Sequence, residues 1–228
     1  MARVLYGSLV TEINGKVGGS VFKRSAYGAV MQNKGGQVNP KSSKQQANRM
    51  HMSYVASQWR TLTETQRNLW NIAAPSFPHF GPFGEVEHLN GFTLFCLCNI
   101  NLLKISYNII SEAPTLEPTP PLIINDVTIN TTAPDMVMLI EPPMPSGYSL
   151  CVYASPQLSQ GVKMVTSRLR LIGSYALPGS SAIIIMNDYR NTFGANLVAG
   201  NKIIYFAAYV SQSTGWEYPT TRFEKIIT

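Results

Sequence analysis

The sequence predicts an α+β module followed by an all-β domain, and three observations carry that division. Two consecutive Ser/Thr-x-x-Gln signals, Ser43 with Gln46 and Thr63 with Gln66, each open a short helical pattern. A proline-rich stretch over residues 111–121 (SEAPTLEPTPP) then interrupts the chain. Beyond it the pattern changes to short alternating runs separated by turn residues, the signature of antiparallel strands.

Residues 3–13 (RVLYGSLVTEI) alternate well enough for a first strand. Gly18-Gly19 offers positive φ for a tight turn, and Val17 to Arg24 and Tyr27 to Gln32 suit a second and third strand. Gly35-Gly36 and Asn39-Pro40 end this arm. An isolated hairpin is marginal in water, so the arm needs a neighbour, either the rest of the chain or another copy. Ser43 is the predicted N-cap of a helix running to Trp59, and Thr63 that of a second helix running to Ala74 and stopped by Pro75. The short connection makes them a helical hairpin. Residues 75–89 are a loop rich in Pro, Gly and Phe. Asn90 caps a third helix over Gly91 to Lys104, apolar on nearly every side and therefore buried.

The predicted domains are 1–110, an anchoring and oligomerisation module; 111–121, a stiff linker; and 122–228. In the last, strands are expected near 122–130, 135–141, 148–154, 166–174, 182–186, 202–212 and 220–227, with one helical turn over Asp188 to Phe193. Seven such strands point to a sandwich of the immunoglobulin or fibronectin type III kind.

Composition narrows the function. Only 13% of the 228 residues are charged, against roughly 25% in an ordinary soluble domain. The surface is therefore neutral polar or covered by partners. The formal net charge of +6 is uneven: residues 1–70 hold ten Lys/Arg and two acids, Glu12 and Glu64. A basic end on a near-neutral body calls for an acidic partner at that end. Three cysteines, Cys96, Cys98 and Cys151, make no disulfide framework and suit a reducing compartment. No signal peptide and no membrane span are expected.

The chemistry-bearing motifs are thin. Gly15-Lys16-Val17-Gly18-Gly19-Ser20 lacks the spacing of a phosphate-binding loop and reads as a hairpin turn. His79, His88, Cys96 and Cys98 fit no closed zinc module, and two cysteines two apart on a helix diverge by about 200°. The three histidines sit near no serine or cysteine elbow, and the acids do not cluster. No catalytic, cofactor-binding or metal residue is assigned, no cofactor is expected, and the chain is expected not to be an enzyme. Arg49, Arg60 and Arg67 with Lys41 and Lys44 offer phosphate contacts, but the second helix has few base-reading side chains, so nucleic acid is not the expected partner. Trp59 and Trp70 either close the core of the helical hairpin or anchor a subunit interface.

Three segments resemble a group of bacteriophage and prophage virion structural proteins. GGSVFKRSAYGAVMQNKGG (18–36) carries its G-S-V-F-x-R pattern at Gly19 to Arg24. The stretch 39–74 carries N-P-x-(S/T)-x-x-Q-x-x-x-R at Asn39 to Arg49, then W-x-x-L-(T/S)-x-x-Q-R-x-x-W at Trp59 to Trp70. Asn90 to Phe95 carries N-G-(F/Y)-x-L-F. The resemblance implies a virion component of the head-fibre or head-decoration type, made in the bacterial host cytoplasm. Its implied partners are the capsid surface or neighbouring virion proteins and sister copies, taken as a trimer. A tail or head–tail connector component is the other placement. Val21, Phe22, Arg24, Tyr27, Trp59 and Trp70 are the expected interface and anchor residues, because the arm cannot bury itself.

Overall fold

A computed structural model describes residues 2–227 apart from 5, 11, 26–27, 36–38, 40, 81–85, 88, 131–134, 164 and 195. The protein is α+β, with four α-helices and antiparallel sheets among the described residues. Two compact units divide at Gln46/Ala47, inside the first helix, and the proline-rich stretch is internal to the second unit.

The first unit, Met1–Gln46, is a four-stranded antiparallel sheet in the order β1-β4-β3-β2. Its strands are β1 (Ala2–Arg3), β2 (Gly15–Val17), β3 (Ser20–Ser25) and β4 (Gly28–Asn33). The long first strand expected over 3–13 is corrected to two residues. A turn closed by Val10 N–H donating to the Gly7 carbonyl breaks the alternation, and Tyr6 Oη reaches the Ile13 carbonyl at 3.2 Å. Gly18, at φ +57°, supplies the two-residue turn that sets Val17 opposite Ser20.

Helix α1 (Ser43–Thr61) starts one residue earlier than its predicted cap implies. Ser42, not Ser43, caps it: its Oγ accepts from Gln45 N–H and its carbonyl from Gln46 N–H. Helix α2 (Glu64–Ala73) has the predicted capping box, with Gln66 N–H on Thr63 Oγ1 at 3.2 Å and Thr63 N–H on Gln66 Oε1 at 3.0 Å. The Arg67 guanidinium donates to the carbonyls of Trp59 and Arg60, tying the end of α1 to α2. Pro75 turns the chain into a 3-10 segment, Ala74–Ser76. A small hairpin of β5 (His79–Phe80) and β6 (Val86–Glu87) follows in the expected loop. Helix α3 (Gly91–Lys104) is capped by Asn90, whose side chain accepts from Thr93 N–H at 2.7 Å.

Residues 122–228 form two antiparallel sheets. One has the order β11-β8-β7, from β7 (Ile123–Asn130), β8 (Asp135–Glu141) and β11 (Ala182–Ile184). The other has the order β10-β9-β12-β13, from β9 (Tyr148–Ala154), β10 (Arg170–Tyr175), β12 (Lys202–Ser211) and β13 (Thr221–Ile226). The strand expected over 166–174 begins instead with a 3-10 turn at Thr166–Arg168. The strand expected over 182–186 ends at Ile184, because helix α4 (Met186–Phe193) starts there and is longer than the single turn expected.

Strand β12 explains how helices and sheets share one core. Its sequence, KIIYFAAYVS, is buried along nearly its whole length, as happens when both faces of a sheet are covered. Toward the other sheet, Tyr205 Oη donates to Met136 Sδ at 3.1 Å. Elsewhere β12 and β9 meet α3, where Val210 and Cys151 pack with Leu102 and Ile105. The loop after β12 locks onto α3: Asn101 Nδ2 donates to the Gly215 carbonyl at 3.1 Å. A methyl group at Gly215 would lie 2.2 Å from the Cys98 carbonyl oxygen, at a φ of +70°.

Two predictions follow from this packing. Gly215→Ala should destabilise the chain by about 3 kcal/mol, overpacking added to left-handed backbone. Gly179→Ala, at φ +80° with nothing nearby, should cost about 1 kcal/mol. Urea unfolding measures both, and equal losses would show that α3 simply yields. The second concerns acid. Lys225 holds the Asp126 carboxyl below its ordinary range, and Lys202 does the same for Glu224. A depressed folded pKa gives stability that is present above the unfolded value, about 4, and lost as pH falls through the folded value. These pairs are part-exposed, so Asp126→Asn should flatten the acid limb of a stability–pH curve by only about 0.5 kcal/mol. An unchanged limb would remove the pair from the account.

Candidate interaction surface

The first unit has almost no core. Val30 is the one buried residue among its described residues, while Leu9 is 97% exposed and Val17 65%. Register sorts the side chains onto two faces, since cross-strand partners share a face and neighbours along a strand do not. Phe22 pairs with Met31, Arg24 with Ala29 and Ser20 with Val17, giving a mostly apolar face. Lys16 pairs with Val21, and Lys23 with Val30, giving a lysine-bearing face. Of the expected anchor residues, Phe22 and Arg24 thus share one face and Val21 lies on the other. Arg24 is largely exposed and stands 3.9 Å from Glu12. Tyr27 lies outside the described residues.

The two tryptophans separate. Trp70 is fully buried, edge-on to Phe95 at 5.1 Å, and its Nε1–H donates to the Ser111 carbonyl at 2.8 Å. Its ring is occupied inside the second unit and offers nothing to a partner. Trp59 is half-buried, with Phe92 and Phe95 at 5.6 and 5.2 Å. The sequence could not tell these apart, because both are aromatic residues in amphipathic helices of similar pattern.

The second unit carries a groove of ≈ 890 Å³ whose lining includes His79, Lys104, Glu117, Trp216 and Glu217. Lys104 Nζ bonds Asn101 Oδ1 at 2.7 Å and stands 3.7 Å from Glu217, which accepts from Tyr153 Oη at 3.0 Å. Glu117 belongs to the proline-rich stretch and holds it down. Its carboxylate accepts from Tyr148 Oη at 3.0 Å, Ser213 Oγ at 2.9 Å and Ser211 Oγ at 3.3 Å. Burial, then the adjoining carboxylate, raises the Tyr148 phenol above its ordinary pKa. Beside this lies a smaller groove of ≈ 560 Å³, lined in part by Leu69, Ile72, Pro114 and Leu116, with Ile72 74% exposed. Sequence reasoning missed Glu117; the available signal was a lone acid in a proline run, with Tyr and Ser at the strand ends to receive it.

The sulfur and imidazole groups do not assemble. Burial pushes Cys98 and Cys151 up to about 12 and raises Cys96, so all three are protonated thiols. His88 lies outside the described residues, and among those described no three His, Cys, Asp or Glu side chains come together to hold a metal. No described helix is long and apolar enough to cross a membrane.

No protein-family model and no curated protein matches the chain. Solved structures similar to it are of OgpA from Akkermansia muciniphila. Wild-type OgpA in one crystal form is 14% identical, over 56% of this chain and 34% of that one, at a TM-score of 0.34. A second crystal form gives 14%, 56%, 35% and 0.33. Catalytically inactive OgpA with an O-glycopeptide (glycodrosocin) substrate is 13% identical, over 67% and 46%, at 0.31. The chain spans less than half the length of these structures. OgpA has a substrate and an inactivated form, so it is an enzyme, and the expectation that this chain is not one is corrected and dropped. At such TM-scores the likeness carries neither a residue nor a reaction across.

Glu117→Ala leaves three hydroxyls without their acceptor. It should lower stability by about 2 kcal/mol and let the Tyr148 phenol ionise at lower pH. Urea unfolding and ultraviolet titration read the two effects, and a variant as stable as the parent would show that the proline-rich stretch is held by other contacts.

Proposed function

We propose that the chain is a structural protein of a bacteriophage virion, attached to the capsid as a head fibre or decoration protein through its N-terminal unit. The observation that carries this reading is the single buried side chain, Val30, among the described residues of a four-stranded sheet. A sheet with no core of its own has too little burial to offset the ordering of its backbone, and it gains that burial only from a partner. The phage-like G-S-V-F-x-R segment, Gly19 to Arg24, is β3 with its preceding turn, so the resemblance falls on this same sheet. Phe22 and Arg24 share a face and are the residues we place at the contact, with Val21 on the reverse.

The sandwich reading belongs here too. Strands one, two and five of residues 122–228 make one sheet and strands three, four, six and seven the other. An immunoglobulin-type sandwich likewise sets its A, B and E strands against C, F and G. This order supports an immunoglobulin or fibronectin III-like domain. Sister copies assemble in a closed symmetric oligomer, taken as a trimer.

A chain lacking residues 1–40 keeps α1 onward and the whole second unit. It should fold, run as a monomer by light scattering and be absent from purified particles. Normal incorporation of the shortened chain would defeat the reading.

A further inference from the structure

We propose that the outer face of the three-stranded sheet β11-β8-β7 docks a protein surface that sets Lys or Arg on either side of aliphatic side chains. Strand β8 alternates along its length. Met136, Met138 and Ile140 are buried toward the other sheet, while Asp135, Val137, Leu139 and Glu141 point outward. The outward row is thus acid, aliphatic, aliphatic, acid. Register sets Ile184 of β11 beside Val137 and Ile123 of β7 beside Glu141, and these isoleucines are 63% and 57% exposed. The outer face of the four-stranded sheet is covered, by α3 over Cys151 and Val210 and by Leu158 and Val165 over Ile204. Ile184 and Ile123 have no such cover among the described residues. Neither end of the β8 row has a cation. Asp135 has no ion-pair partner among the described residues, and the Glu141 carboxylate accepts only from Asn125 Nδ2, at 2.7 Å. Asp126, beside Leu139, is already paired with Lys225.

Charge selects the occupant. Nucleic acid and anionic lipid are repelled by Asp135 and Glu141. A second copy of the same face sets acid over acid whichever way it is turned, because both ends of the row are acidic. Ligands that stack on rings find none, since β7, β8 and β11 contain no aromatic residue. A protein surface with a cation at each end of an aliphatic strip meets the carboxylates and covers Ile184, Val137 and Leu139 together, all on one face. Six residues of strand separate Asp135 from Glu141, so the two cations of the partner stand about 20 Å apart.

The test uses the full chain and a fluorescent, cyclised β-hairpin peptide, one strand of which alternates Thr with Lys, Val, Leu and Lys in that order. One control hairpin has Gln for both Lys, and another has the two Lys only two residues apart. The parent should bind the first hairpin about tenfold more tightly than either control. The Asp135→Lys, Glu141→Lys variant, its fold confirmed by circular dichroism, should lose that preference, and Asp135→Asn, Glu141→Gln should fall between. Ile184→Ser should weaken binding severalfold with both acids in place. Unchanged affinity in the charge variants overturns the proposal, and so does equal binding of the three hairpins. A lower oligomer mass for the charge variants by light scattering overturns it as well, because it would put a second copy on this face. The face belongs to the second unit and the virion attachment to the first, so particle incorporation of the shortened chain tests the latter alone.

Discussion

The second unit depends on one buried helix, α3, and on two asparagines that keep it in register. Asn99 is fully buried; it donates to the Phe95 and Ile110 carbonyls and accepts from Ile110 N–H at 2.7 Å. Asn101 donates to Gly215 and accepts from Lys104. A buried amide without partners costs several kcal/mol, so these contacts specify position as well as hold it. Two glycines set the distances. A methyl at Gly91 would come within 2.7 Å of the Asn71 amide nitrogen on α2, and one at Gly215 would strike Cys98. The helix is thereby fixed to α2 at its start and to the loop after β12 further along. The sheets, the helical hairpin and the proline-rich stretch take their places around it.

That arrangement makes the β-strands dependent on residues far back in the sequence. Val210 and Cys151 pack with Leu102 and Ile105, so stripping α3 away would expose a largely apolar sheet face to water. The proline-rich stretch follows the same logic. Its stiffness keeps it extended, and Trp70 at one end and Glu117 further on give that extended chain fixed points on the surface. Stiffness here serves docking, where a spacer between free domains would use it for separation.

Most elements were legible because their signals are local. Thr63 with Gln66 and Asn90 with Thr93 announce their caps within four residues, and the strands of the β-region alternate over their own lengths. What was not legible is non-local. Nothing in tryptophan-bearing helices of similar pattern says that Trp70 is fully buried against Phe95 and Ser111 while Trp59 is only half-buried. The burial of β12 on both faces shows in its unbroken apolar run, but that α3 supplies the second cover does not. At the candidate surface the pattern G-S-V-F-x-R was visible as a string. Its division between faces, Phe22 and Arg24 against Val21 and Lys23, emerges only once β3 is paired. The Ser42 cap was missed by one residue because Ser42 and Ser43 are chemically equivalent candidates.

The charge distribution links the two units without reference to their arrangement. The second unit has as many bases as acids, so copies of it feel no net long-range repulsion. The first unit holds all of the net charge and lacks a core. On the reading proposed above, a capsid surface against the face that carries Val17, Phe22 and Arg24 supplies the burial this sheet lacks. Attachment and charge are thus borne by opposite faces of one sheet: the contact that orders it covers Phe22 and Val17, while Lys16 and Lys23 stay on the reverse.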